Sequence, residues 1–259
     1  MALELIAAVS ATCLFAGMLL LSEVGRRMAA ARRARDPEGL AKGGAAAEAG
    51  VFGLLGLLIA FTFSGAAARF EDRRYLINDE ANAIGTAYLR VDLLPADTQP
   101  AIRDLFRKYA DVRATVYRNA GDPHATVRAL SDAAALQGQI WAQARAACQR
   151  PDTPPQATML LLPALNEMID ITTTRETATR THPPAAIFGL LAVLCLVGAL
   201  IVGYATTPGS RRGWFHPAIF AAVLSVTVYV IIDVEFPRLG LIRVDTADQV
   251  ILDVRQSMR

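Results

Sequence analysis

The chain has 259 residues, 53% of them hydrophobic, and a formal net charge of +2. That apolar share exceeds the about 45–50% usual for soluble domains, and so small a charge gives no sign of a nucleic-acid partner. The three cysteines and three histidines are scattered, so neither a disulfide framework nor a metal-binding spacing can be built from them.

The excess apolar residues fall in four blocks. The first, Leu5 to Leu21, is just long enough to cross a hydrocarbon core of about 30 Å at about 1.5 Å per helical residue. A cleavable leader needs a positive start and a small-x-small cleavage site. This N-terminus carries Glu4, and its apolar run ends in Leu-Leu-Leu-Ser-Glu-Val-Gly, so a retained span is expected. A link with Arg26, Arg27, Arg32, Arg33, Arg35 and Lys42 against Asp36 and Glu38 leads to the second block, Ala45 to Ala68.

Residues 69–183 are too many for a structureless loop. Phe70, Ile77, Ala81, Ile84, Tyr88 and Val91 continue the helical period with no breaker after the second block, which predicts one long helix from Ala45 to Leu94, ended by Pro95. A second helix is marked by Ile102, Leu105, Phe106, Tyr109, Val112 and Val116 and stops near Asn119-Ala-Gly-Asp-Pro123, a strong breaker cluster. A third runs from Pro123 to Arg150, with Val127, Leu130, Ala134, Trp141 and Ala144 on one side. A fourth begins near Gln156 and passes Pro163 towards the third apolar block, Pro184 to Ala205. Nothing alternates with period two, so no sheet is expected. The fourth block spans Trp214 to Ile232, and the tail after Phe236 either lies at the bilayer interface or packs on the helical domain.

The expected fold is therefore all-α: an integral membrane protein with four transmembrane helices and a helical extramembrane domain between the second and third. The divisions are 1–68, 69–183 and 184–259. High Ala and Arg content points to a bacterial inner membrane. Short basic loops stay in the cytoplasm. The first link and Arg211 and Arg212 in the last one both point inward, which places the large domain and both termini in the periplasm.

The second span carries the most information. Gly56, Ala60, Ser64 and Ala68 form a small-xxx-small stripe that lets helices approach closely. Phe52, Ile59, Phe63 and Phe70 form an apolar row, which in a ring of copies would line a pore and gate it by dewetting. Packing against lipid or other spans is the plainer reading of that row. Beyond it, Glu71, Asp72, Arg73, Asp79 and Glu80 would form charged rings at a pore mouth. Their plainer reading is a solvated face with ion pairs of about 0.2–0.5 kcal/mol each. Asn166, Asp170, Thr173 and Thr177 make a polar stripe on the fourth domain helix. Asp233 and Glu235 end the fourth span, close enough to the interface to be hydrated, with Arg238 and Arg243 as candidate partners. Signatures of catalysis are absent: there is no G-x-S-x-G, Walker A, H-E-x-x-H or dinucleotide fingerprint. No catalytic residue, metal or cofactor is expected.

The stretch Phe52-Gly-Leu-Leu-Gly-Leu-Leu-Ile-Ala-Phe-Thr-Phe-Ser-Gly-Ala-Ala and the run Asp79-Glu-Ala-Asn-Ala-Ile-Gly-Thr-Ala-Tyr-Leu-Arg90 resemble the bacterial bestrophin-like proteins, formerly a domain of unknown function. Leu162-Pro-Ala-Leu-Asn-Glu-Met-Ile-Asp170 and Glu235-Phe-Pro-Arg-Leu-Gly-Leu-Ile-Arg-Val-Asp245 fit the same family. The resemblance covers nearly the whole chain. It implies a pentameric ion channel, four spans per subunit, a second span lining an apolar neck, and a cytoplasmic large domain, the reverse of the orientation given by the basic loops. The acidic calcium-clasp sequence of animal bestrophins is absent. The expected partners are the lipid bilayer, further copies of the chain, and ions. The alternative is a non-conducting sensor or assembly protein whose extracytoplasmic helices bind a ligand or partner.

Overall fold

The computed structural model describes residues 2–35, 45–118, 122–206, 214–236 and 245–258. Among them every regular element is helical. In chain order these are α1 (Ala2–Arg35), α2 (Ala45–Arg90) with a 3-10 turn at Val91–Leu93, α3 (Gln99–Arg118), α4 (Pro123–Cys148), α5 (Pro155–Arg180), α6 (Ala185–Ala205), α7 (Phe215–Glu235) and α8 (Asp245–Ser257). Helices α1, α2, α6 and α7 are long and apolar enough to cross a membrane. The protein is a multi-pass membrane protein.

Local chemistry explains the breaks. Leu94 turns extended ahead of Pro95, as a residue before proline must. Asp122 caps α4, accepting from the His124 and Ala125 amides at 2.9 and 3.1 Å, with Pro123 in the first helical position, where no amide is needed. Helix α1 runs past its apolar block to Arg35, because Ala, Met and Arg are strong helix formers. Lys42, Asp36, Glu38, Asn119, Arg211, Arg212, Arg238 and Arg243, together with the tail apolar residues 239–244, lie outside the described residues.

The chain forms two units, residues 1–68 with 182–236, and residues 69–181 with 237–259. In the first, α1 lies directly against α6. A Cβ placed on Gly203 would lie 1.9 Å from the Ser22 carbonyl oxygen, and one on Gly25 would lie 2.1 Å from that of Leu200. Ser22 Oγ donates to the Ala199 carbonyl at 3.0 Å. Glycine thus sets the helix separation, the device expected where lipid offers no hydrophobic drive for association. Arg26 stacks over Trp214 at 4.8 Å, and Arg32 donates to the Tyr204 hydroxyl at 3.0 Å. Basic and aromatic residues therefore gather at one end of the spans, as interfacial belts do. Cys195 is buried, whereas Cys13 is exposed on α1.

In the second unit, Ile84, Tyr88, Phe106, Tyr109, Ile140, Leu161, Leu165 and Met168 form the core. Tyr88 and Phe106 meet edge to face, with centroids 5.8 Å apart. The predicted apolar faces of the α2 extension and α3 are the buried ones. That of α4 is buried only in part: Ala144 is buried and Leu130 and Trp141 are half-buried, whereas Ala134 is exposed, Val127 is 66% exposed, and the buried side continues through Ala129, Ala133, Ile140 and Ala147. Alanine occurs on every side of α4, so its sequence marks no single stripe. Helix α8 packs on the domain. Ile251 is buried with Ala81 and Ala114, and Arg255 pairs with Asp111 at 2.9 Å.

Candidate functional site

Helix α2 has 46 residues, about 69 Å at 1.5 Å per residue, more than twice the hydrocarbon thickness. Its apolar first half belongs to the first unit and its charged second half to the second. In the first half, one face is covered by the chain's own helices. Leu55 and Ala66 are buried. Phe52 meets Phe220 with centroids 5.9 Å apart and planes at 87°, and its ring edge reaches the Gly198 position. Ile59 and Phe70 are half-buried.

The opposite face is open. Gly53, Gly56, Ala60, Ser64 and Ala68 are exposed, and a Cβ on Gly53 or Gly56 would meet nothing within 4 Å among the described residues. Leu57, Phe61 and Phe63 are 52%, 67% and 46% exposed. The whole small-residue stripe therefore faces away from its own protomer, with Phe63 beside it. Phe52, expected in the same row as Phe63, turns back into its own unit, because a Phe220 ring is available to it there. Leu57 and Phe61, four residues apart on the open face, were not singled out from sequence, although the i,i+4 spacing alone marks them.

The charged half of α2 splits in the same way. Glu71, Asp72 and Asp79 are exposed, and Glu71 pairs with Arg74 at 3.0 Å. Two of the expected pore-mouth charges are not at a surface. Arg73 is 8% exposed, and it donates from Nε to the Ala178 carbonyl and from Nη2 to that of Thr181, each at 3.1 Å. Glu80 is fully buried. Arg113 donates to it from Nη2 at 2.9 Å and also from Nε, and Arg175 donates through Nη1. Assembly only adds cover, so Glu80 cannot face a water-filled mouth. Burial pushes its carboxyl up, and the Arg175 and Arg113 charges with their hydrogen bonds outweigh it, holding the group below its ordinary range. Only the fold brings α2, α3 and α5 together here. A lone Glu among helical charges gives no sequence signal for it.

On α5, Asn166, Asp170, Thr173 and Thr177 are exposed together. At the end of α7, Asp233 and Glu235 are buried rather than hydrated. Glu235 lies 2.9 Å from His182 Nδ1, and that ring stacks on Phe236 at 4.4 Å. The histidine comes from the segment that opens the third span, a pairing that sequence separation hides.

The sequence matches the Bestrophin-like domain over residues 12–249. This chain belongs to the Bestrophin-like family. Its fold agrees with crystal structures of a bacterial bestrophin homologue from Klebsiella pneumoniae. Two of these carry single substitutions. One aligns at a TM-score of 0.66 and 13% identity over 94% of this chain and 98% of that one. The other gives 0.66 and 15% over 96% and 98%. A third gives 0.59 and 17% over 92% and 97%. Comparison with curated proteins finds no match. At such identities the likeness shows the fold of the chain alone, and the side chains of α2 are this chain's own.

Proposed function

We propose that this bestrophin-like protein is an ion channel, in which several copies surround an axis and the open face of α2 lines the pore. The observation that carries this reading is the lack of cover on α2. Only 11% of its apolar stretch is buried within the chain, against 22%, 28% and 44% for the other three spans. A Gly/Ala/Ser stripe gains most from close helix packing, and among the described residues no helix of the same chain occupies it. Four spans in one subunit are too few to surround an axial pore, so conduction requires a ring of copies. Phe63, with the half-buried Ile59 one turn away, is the candidate gate, and Glu71 and Asp79 remain as exposed charges beyond it. Five copies is the number that the family resemblance suggests.

The basic and aromatic end of the spans, with Arg26, Arg32, Tyr204 and Trp214, faces the cytoplasm of the inner membrane in this reading. The helical unit then lies in the periplasm.

Native mass spectrometry of the gently extracted protein, followed by planar-bilayer recording, tests the proposal. A closed ring that passes current supports it. A monomer, or a ring silent across voltages and salts, refutes it and leaves the sensor or assembly reading.

A further inference from the structure

Within the helical unit, Arg69, Asp72 and Arg73 of α2 face Thr173, Thr174, Thr177, Ala178 and Thr181 at the end of α5 across an open cleft of about 440 Å³. The three charged residues lie at i, i+3 and i+4, on one side of the helix. The threonines recur at one-turn intervals on the other wall. We propose that this cleft binds the headgroup of a phospholipid that carries both a phosphate and a primary ammonium.

Three observations lead there. First, the cleft has a built floor. Arg73 is 8% exposed and is fixed by the Ala178 and Thr181 carbonyls. It thereby takes up the negative end of α5, which would otherwise oppose an anion. Second, the wall chemistry is mixed. The Arg69 guanidinium suits a phosphate, and the exposed Asp72 carboxylate suits an ammonium three residues along. The Thr174 and Thr181 hydroxyls donate to the Asp170 and Thr177 carbonyls, and their oxygens remain acceptors for an ammonium. Third, chain continuity puts both walls beside the bilayer. Arg69 directly follows the apolar half of the unbroken helix α2, and Thr181 precedes the start of α6 at Ala185. Headgroups are the most concentrated phosphates at that level. The inference does not depend on conduction.

The test is native mass spectrometry of the intact full-chain protein, titrated separately with phosphatidylethanolamine, phosphatidylglycerol and inorganic phosphate. The expected result is a saturable phosphatidylethanolamine adduct in the unaltered protein, weakened about tenfold in Arg69→Gln, the loss of one charge-assisted hydrogen bond. Asp72→Asn is expected to abolish the preference for phosphatidylethanolamine over phosphatidylglycerol. Circular dichroism melting shows whether each variant is folded. If Arg69→Gln does not fold, Thr177→Val on the exposed wall serves, with weaker binding expected. Equal binding of the amine-bearing and amine-free lipids by the unaltered protein overturns the assignment. So does an unchanged affinity in the folded variants, or displacement of lipid by millimolar inorganic phosphate, which would mark a free-anion site.

Discussion

Glu80 receives both Arg113, at 2.9 Å from Nη2, and Arg175, and no solvent reaches its carboxylate. One acid from α2 thus ties α3 and α5 to it. Glu80→Ala leaves two guanidiniums buried without their carboxylate, a class of change that costs about 3–5 kcal/mol. The helical unit of that variant should melt at least 10 °C lower in detergent, or fail to fold, as followed by circular dichroism. An unchanged melt would mean that the arginines find other partners at no cost.

The same group sets an acid limit. Its folded pKa is held below the ordinary value, so its contribution is complete above the unfolded pKa of about 4.3 and is lost as pH falls through the folded pKa. The melting temperature should therefore change little from Glu80 between pH 8 and 5 and fall below about pH 4. Glu80→Gln should remove that part of the acid dependence. Melts across the range, run on both proteins, check it.

Glycines of two kinds should behave differently. Gly203→Ala places a methyl group 1.9 Å from the Ser22 carbonyl oxygen, so α1 and α6 must separate and the folded yield should drop sharply. A Cβ on Gly56 meets nothing within 4 Å among the described residues, so Gly56→Val is tolerated within the protomer. The protomer should melt normally, while native mass spectrometry shows the oligomer dissociating. If Gly56→Val assembles as the unaltered protein does, the open face of α2 is not an interface between copies.

Two phenylalanines of one predicted row should separate in the same manner. Phe52→Leu loses an edge-to-face pair with Phe220, worth roughly 0.5–1.5 kcal/mol, and should lower stability with little effect on single-channel current. Phe63→Ala, on the open side, should leave stability unchanged and raise leak current in planar bilayers. Equal leak from both variants would remove Phe63 from the gate.

Orientation is measurable with fusions to the C-terminus. With the helical unit in the periplasm, alkaline phosphatase should be active there and green fluorescent protein dark. The converse pattern would give the cytoplasmic orientation implied by the bestrophin resemblance and would place the Arg26–Trp214 end on the periplasmic side.

The sequence by itself determined the helices α1 to α7, because their signals are local, and left the tail that forms α8 open. Apolar runs long enough to span a bilayer marked α1, α2, α6 and α7. Pro95, Pro123 and the Pro151–Pro155 segment marked the breaks, and the unbroken period from Phe70 to Val91 made α2 run from the apolar block into the helical unit. Family membership was equally legible, since the motifs that carry it are contiguous. Tertiary structure decided which of the charged and aromatic residues face water, lipid or each other. Arg73 and Glu80 look like Asp72 and Asp79 along one helix, and only the approach of α3 and α5 buries the first pair. Phe52 and Phe63 share an apolar row, and only the position of Phe220 turns one inward. Such choices depend on neighbours 30 to 170 residues away, and helical periodicity reaches no further than a few turns.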